Sequence, residues 1–219
     1  MPIRLSIMRR QLSSLLFCLV LILAGCKDDD YTVPSYRVDL MCALTDADSV
    51  VSHLLLDDGS RYSVGSQRIK ASEPNAMIRC LGTFSIDDDS VAVKVYDLLR
   101  VSCYAPLPVD SFKVQPHDPV NVVSVWKSGG FVNLCLAPLV DEQGGMKYDF
   151  CIDSITHHDD NIAIHASLLF QRRSGSIEAY THKFYHSIPL ESPYYPSDYD
   201  SIYIHINTYN GTTAYPFSR

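Results

Sequence analysis

The sequence predicts an all-β fold: an N-terminal OB-like small barrel followed by an antiparallel β-sandwich. Three observations carry this. Strand formers are plentiful, with 14 Tyr and 8 Phe beside many Val, Ile and Thr. Twelve Pro and ten Gly punctuate the chain at short intervals. After Cys26, no stretch of 12 or more residues carries a clean 3.6-residue apolar repeat, whereas many short stretches alternate.

The chain opens with Arg4, Arg9 and Arg10 ahead of an apolar run, Leu12 to Ala24. That run is short of the roughly 20 residues needed to span a bilayer as a helix, and small residues stand at its exit. Residues 1–25 therefore read as a signal peptide. Leu23-Ala24-Gly25-Cys26 resembles the lipobox of bacterial lipoproteins, which makes Cys26 the acylated N-terminus of the mature chain. One acyl chain binds a membrane only marginally, so stable anchoring takes several. Lys27, Asp28, Asp29 and Asp30 resemble a short acidic signal for export to the outer face of the outer membrane. The plainer reading is a solvated charge run opening a tether over residues 26–36.

Removing residues 1–25 leaves 194 residues with 15 basic and 25 acidic side chains, a net charge of −10. Such a chain has no electrostatic footprint for phosphate backbones, so no nucleic-acid partner is expected. Nor is it drawn to an anionic bilayer, which leaves anchoring to the lipid.

The barrel is expected over residues 37–107. Residues 37–44 alternate, with Val38, Leu40, Cys42 and Leu44 on the apolar side and Arg37, Asp39 and Ala43 opposite. Residues 52–64 read as a strand, an Asp-Asp-Gly turn and a returning strand. Residues 77–86 put Ile78, Cys80, Gly82, Phe84 and Ile86 on one face, against Arg79, Thr83 and Ser85. A long strand then ends near Tyr104. Five short strands, one with a mid-strand glycine, suit an OB-like barrel.

Four prolines in residues 105–120 mark the boundary. Residues 108–219 then carry six or seven strands at sandwich spacing, joined by Ser-Gly-Gly, Glu-Gln-Gly-Gly and His-His-Asp-Asp turns.

With Cys26 and its acidic tail, "DPVNVVSVWKSGGFVNLCL" at 118–136 and "EAYTHKFYHSIPL" at 178–190, the chain resembles the NigD-like lipoproteins. The Trp-Lys-Ser-Gly-Gly turn followed by Asn133-Leu134 is the most specific piece. The resemblance implies a lipid anchor, an OB domain and a β-sandwich. It also implies a role proposed from a bacteriocin locus, that of an immunity protein. It brings no catalytic residues.

The residues offer little chemistry of their own. Cys42, Cys80 and Cys103 read as buried core thiols. Cys135 and Cys151 read as lying on polar strand faces. A hairpin turning about Gln143 would bring them opposite for a disulfide, and a two-residue Gln-Gly or Gly-Gly turn would remove that pairing. His157, His158, Asp159 and Asp160 read as a tight turn. His165, His182, His186 and His205 read as separate strand histidines. Catalytic residues, cofactors and metals are expected to be none. Asp-Ser-aliphatic tripeptides at Ser49, Ser90, Ser154 and Ser201 resemble an O-glycosylation sequon, and equally suit turn-to-strand junctions. Tyr194, Tyr195, Tyr199 and Tyr203 are a candidate ligand surface, or simply the cover of the sandwich end.

The expectation is a non-catalytic outer-membrane lipoprotein, exposed at the cell surface and acting by binding, with a bacteriocin-immunity-like role. The alternative is an accessory that holds a glycan or an outer-membrane partner through the Tyr-rich loops. The partner, whether peptide, protein or glycan, is not named by the sequence.

Overall fold

The computed structural model describes residues 36–86, 92–140, 146–159, 161–172 and 180–219. Cys26, Lys27, Asp28, Asp29, Asp30 and Ser90 lie outside the described residues. Residues Tyr36–Arg219 form one compact unit.

Five strands close a barrel: Tyr36–Thr45 (β1), Val51–Leu56 (β2), Arg61–Val64 (β3), Met77–Ile86 (β4) and Ala92–Arg100 (β5). Their order around the barrel is β1-β2-β3-β5-β4, and β3 pairs with β5 in parallel while the other pairs are antiparallel. This is the Greek-key barrel of the OB type.

The interior is built by Met41, Ala43, Leu54, Ile78, Cys80, Phe84, Val93 and Val95, all buried. The mid-strand glycine has a packing reason. A Cβ at Gly82 would stand 2.7 Å from Met41 Cε and 2.8 Å from its sulfur, so the residue makes room for a fully buried methionine.

The connection out of the barrel ties into both sheets of the second half. Ser102–Cys103 (β6) pairs in parallel with Phe184–Pro189 (β14), and Leu107–Pro108 (β7) pairs in parallel with Met146–His158 (β11). The remaining strands are Asn121–Ser128 (β8), Phe131–Ala137 (β9), Leu139–Val140 (β10), Asn161–Arg172 (β12), Tyr180–Thr181 (β13), Ser201–Thr208 (β15) and Gly211–Ser218 (β16). One sheet runs β6-β14-β9-β8, the other β16-β15-β12-β11-β7, and β10 with β13 forms a small ribbon.

Alternation places Val132, Leu134 and Leu136 of β9 in one core. With them lie Phe150 of β11, Ile164 and Leu168 of β12, and Ile202, Ile204 and Ile206 of β15. Each such side chain contributes about 1.5–3 kcal/mol by leaving water.

Two facings differ from the alternation read in sequence. In β1 the barrel interior takes Met41 and Ala43, while Leu40 and Cys42 are buried outside that core. A strand wrapped between two bodies is apolar on both faces, and period-2 reasoning then has no polar side to reject. In β11 a bulge between Ile152 and Ser154 inserts Asp153 as an extra residue, which breaks the alternation beyond it.

Candidate functional site

The β8–β9 hairpin turns on Gly129 and Gly130, with φ of +57° and +80°. Two successive positive φ values define the I′ turn that suits right-twisted strands, and glycine reaches them without strain. This is the Ser-Gly-Gly turn seen in sequence. Its tip lies against the barrel: a Cβ at Gly129 would stand 2.5 Å from Asp57 Cγ in the β2–β3 turn.

Around that approach lies a buried polar network. Arg79 of β4 is 4 % exposed. Its Nη1 donates to Asp57 Oδ1 at 2.5 Å and its Nη2 to Asp57 Oδ2 at 2.7 Å. Nη2 also donates to Asn133 Oδ1 at 3.0 Å, and Nε to Ser187 Oγ at 3.1 Å. The guanidinium stacks over Phe131, 4.2 Å from its ring centre, and Cys42 lies beside Nη1.

Ser128 Oγ donates to Asp57 Oδ2 and receives Asn133 Nδ2 at 2.9 Å, while Ser187 Oγ donates to Asn133 Oδ1 at 2.7 Å. Burial opposes the charge on Arg79, but the hydrogen bonds and charge of Asp57 outweigh it and raise the guanidinium above its usual range. Burial pushes the Cys42 thiol up despite the nearby arginine. A bidentate arginine with further neutral partners is the arrangement a desolvated ion pair requires.

Clefts open on either side of this clamp. One, of about 880 Å³, is lined by Arg79, Arg100, Cys103, Tyr104, Glu191 and Arg219 among others. The other, of about 550 Å³, has Trp126 and Tyr185 from the sandwich facing Val38, Leu40 and Asp57 of the barrel. Trp126 is the sole tryptophan of the chain. Val38 is 55 % exposed beside it. The second cleft thus combines aromatic and aliphatic walls with charged residues of both signs, Arg37, Asp39 and Asp58 among them.

The sequence-derived candidates are distributed differently. Cys135 and Cys151 are both buried free thiols. They do not face each other across a hairpin, because β9 pairs with β8 and β14 whereas β11 pairs with β12 and β7. Cys135 does share its face with Asn133, as the alternation requires, but that face is covered rather than wet. Among the other thiols Cys42 and Cys80 are buried, while Cys103 is exposed instead of lying in a core.

Tyr194, Tyr195, Tyr199 and Tyr203 do not form one surface. Tyr195 and Tyr199 belong to the sandwich core, and Tyr199 donates its hydroxyl to Leu190 O at 2.6 Å. Tyr194 is 46 % exposed, and Tyr203 lies apart on β15, stacked on His165. Ser49 sits half-buried in the turn before β2 with φ +61°, and Ser201 begins β15, both turn-to-strand junctions. Ser154 lies within β11 and is exposed.

His186 is fully buried among Tyr104, Tyr148 and Phe150, with ring centres 4.3, 5.7 and 4.7 Å away. Its Nε2 is 3.2 Å from Tyr104 O. Burial drives its pKa down to about 4, against the pull of that carbonyl.

The residues missed in sequence are Arg79 and Asp57. A lone arginine among the apolar residues of 77–86 was a usable signal, as was the Ser-Gly-Gly-Phe-Val-Asn run that supplies two of its partners, Phe131 and Asn133.

No family model and no curated protein matches the chain. Solved structures do. A NigD-like immunity protein from Bacteroides caccae aligns with TM-score 0.58 and 22 % identity, over 85 % of this chain and 94 % of that one. A protein of Parabacteroides distasonis described as toxin-related aligns at 0.65 and 15 % identity, over 84 % and 93 %. A protein of Bacteroides fragilis described as a lipoprotein aligns at 0.58 and 13 %, over 84 % and 97 %. The chain therefore shares its fold with these proteins, the NigD-like one among them.

Proposed function

We propose that the protein is a cell-envelope lipoprotein that acts by binding and not by catalysis, in the manner of an immunity factor. The observation that carries this is the clamp. Arg79, Asp57, Ser128, Asn133 and Ser187 lock barrel and sandwich into one body at the most distinctive stretch of the sequence. Such a body offers a preformed groove between Trp126, Tyr185 and Val38, and preorganisation lowers the entropic cost of holding a partner.

The fold likeness to an immunity protein supports the role, and the Cys26 lipobox with its acidic tail supports an outer-membrane, surface-exposed location. The mature net charge of −10 favours a cationic peptide over an anionic one. The alternative, a glycan or outer-membrane accessory using the Tyr-rich loops, would rest on Tyr194 and Tyr203, since Tyr195 and Tyr199 are buried.

Crosslinking in living cells, with recovery through a C-terminal tag and mass spectrometry, tests the reading. The Cys26→Ala variant serves as the unanchored control. Recovery of a small secreted peptide or toxin supports it. Recovery of an outer-membrane transporter, lost with Cys26→Ala, replaces it with the accessory role.

A further inference from the structure

The outer face of the five-stranded sheet carries a cluster that the clamp and its clefts do not use. His165 of β12 and His205 of β15 were expected as separate strand histidines. The parallel register pairs His165 with Tyr203 and Ser167 with His205, so the two imidazoles are diagonal neighbours on one face. His165 Nδ1 stands 3.2 Å from His205 Nε2. The rings stack at 26°, and Tyr203 stacks on His165 from the adjoining position, 4.9 Å away at 17°.

The second nitrogen of His165 is also engaged: Nε2 lies 3.2 Å from Thr156 Oγ1 on β11. Asp153, the bulge residue of β11, receives a hydrogen bond from Ser167 Oγ at 2.6 Å and acts electrostatically on His205.

We infer that His165 and His205 form a two-imidazole site for a borderline divalent cation of the Zn²⁺ kind, its remaining positions filled by water. Two imidazole nitrogens bound to one tetrahedral zinc at about 2.0–2.1 Å stand about 3.3–3.4 Å apart, so the hydrogen-bonded pair at 3.2 Å needs only a turn of the rings, to aim both lone pairs at one point, and little change in separation. In the tautomer that gives the Nε2 proton of His165 to Thr156 Oγ1, Nδ1 is unprotonated and accepts from His205 Nε2 until a cation takes that proton's place; an outer-shell contact of this kind orients metal-bound histidines. His205 joins by carrying its own proton on Nδ1, so that Nε2 faces the cation and no proton is lost. Asp153 adds negative charge beside the pair. Bulges beside sites of this sort re-aim side chains, and here the bulge gives β11 its extra residue, Asp153. Among the described residues no group of three His, Cys, Asp or Glu forms a metal cage, so the site is an open one with two protein ligands.

The test is Zn²⁺ titration by calorimetry on the full chain in detergent, with exposed thiols such as Cys103 blocked. One-to-one binding is expected, weakened at least ~tenfold by His165→Ala or His205→Ala. Thr156→Val, which touches no metal, should weaken it by about tenfold through the lost orientation of His165. That variant keeps the question answerable if a histidine variant fails to fold. Unchanged affinity in both Thr156→Val and His165→Ala/His205→Ala overturns the site. So does loss confined to His157→Ala/His158→Ala, which would assign the binding to the neighbouring exposed histidines.

Discussion

Arg79 on the barrel and Asn133 on the sandwich meet at 3.0 Å although 54 residues separate them in sequence. Asn133 in turn holds Ser128 and Ser187, and Asp57 binds both Arg79 and Ser128, so each side-chain polar atom of these five residues has a partner. Removing Asp57 leaves the 4 %-exposed Arg79 without its counter-charge, and uncompensated buried charges cost about 3–5 kcal/mol. Asp57→Ala is expected to lower unfolding free energy by that order in urea titrations. Asn133→Ala, which strands neutral groups as well, should cost about 1–3 kcal/mol. Effects of both near zero would mean that the junction is open in solution.

Gly129→Ala is the sharper probe of the approach between hairpin and barrel. The new Cβ meets a positive φ and a contact 2.5 Å from Asp57 Cγ. Either the turn shifts or Asp57 leaves Arg79. The expected loss is about 2 kcal/mol or more, read by thermal unfolding. Gly130→Ala, with open space around its Cβ position, carries only the cost of the backbone conformation, about 1 kcal/mol. Equal losses for the two variants would remove the contact from the explanation.

His186 makes stability depend on pH. Its pKa falls from 6.5 to about 4 because burial disfavours the cation. Between those values the unfolded chain binds the proton and the folded chain does not. Its contribution is therefore complete above pH 6.5 and is lost as pH falls toward 4. The amount is about 3 kcal/mol. His186→Phe, which fits the aromatic surroundings but lacks the bond to Tyr104 O, should flatten the stability profile between pH 4 and 6.5. An unchanged slope would place the titrating group elsewhere.

Among the C-terminal tyrosines, Tyr199→Phe is expected to cost about 1 kcal/mol through the bond to Leu190 O. Tyr194→Ala should change stability by less than about 0.5 kcal/mol. The reverse order in denaturant titrations would make Tyr194 the structural residue and Tyr199 the available one.

The sequence made much of this architecture readable. In β4 the alternation of Ile78, Cys80, Phe84 and Ile86 against Arg79 matches the barrel interior, and the mid-strand glycine that suited a small barrel is Gly82. The Ser-Gly-Gly turn between β8 and β9 was equally plain.

What failed did so where a second body covers a face that local pattern treats as solvent. Leu40 and Cys42 were assigned to the interior because they are apolar, yet Met41 and Ala43 fill it. Asn133 and Cys135 were assigned to water because Asn133 is polar, yet both are buried. Arg79 was read as the polar side of a half-exposed strand. Its burial depends on Asp57, Asn133 and Ser187, and no short window contains all of them. The Asp153 bulge and the meeting of His165 with His205 rest on strand register, which residue alternation does not carry.

The placement of Asp57 within the barrel has a consequence for how the chain assembles. All five barrel strands come from residues 36–100, and both members of the Arg79–Asp57 pair lie inside that stretch. The sandwich is less local: β6 and β7 must find β14 and β11, and β12 must accept β15 in parallel. Contacts close in sequence form earlier because their loops close at lower entropic cost. A chain delivered N-terminus first can therefore close its barrel with Arg79 already neutralised before the sandwich arrives. The later half then docks onto an ion pair instead of a bare cation, and desolvation is shared between two successive events.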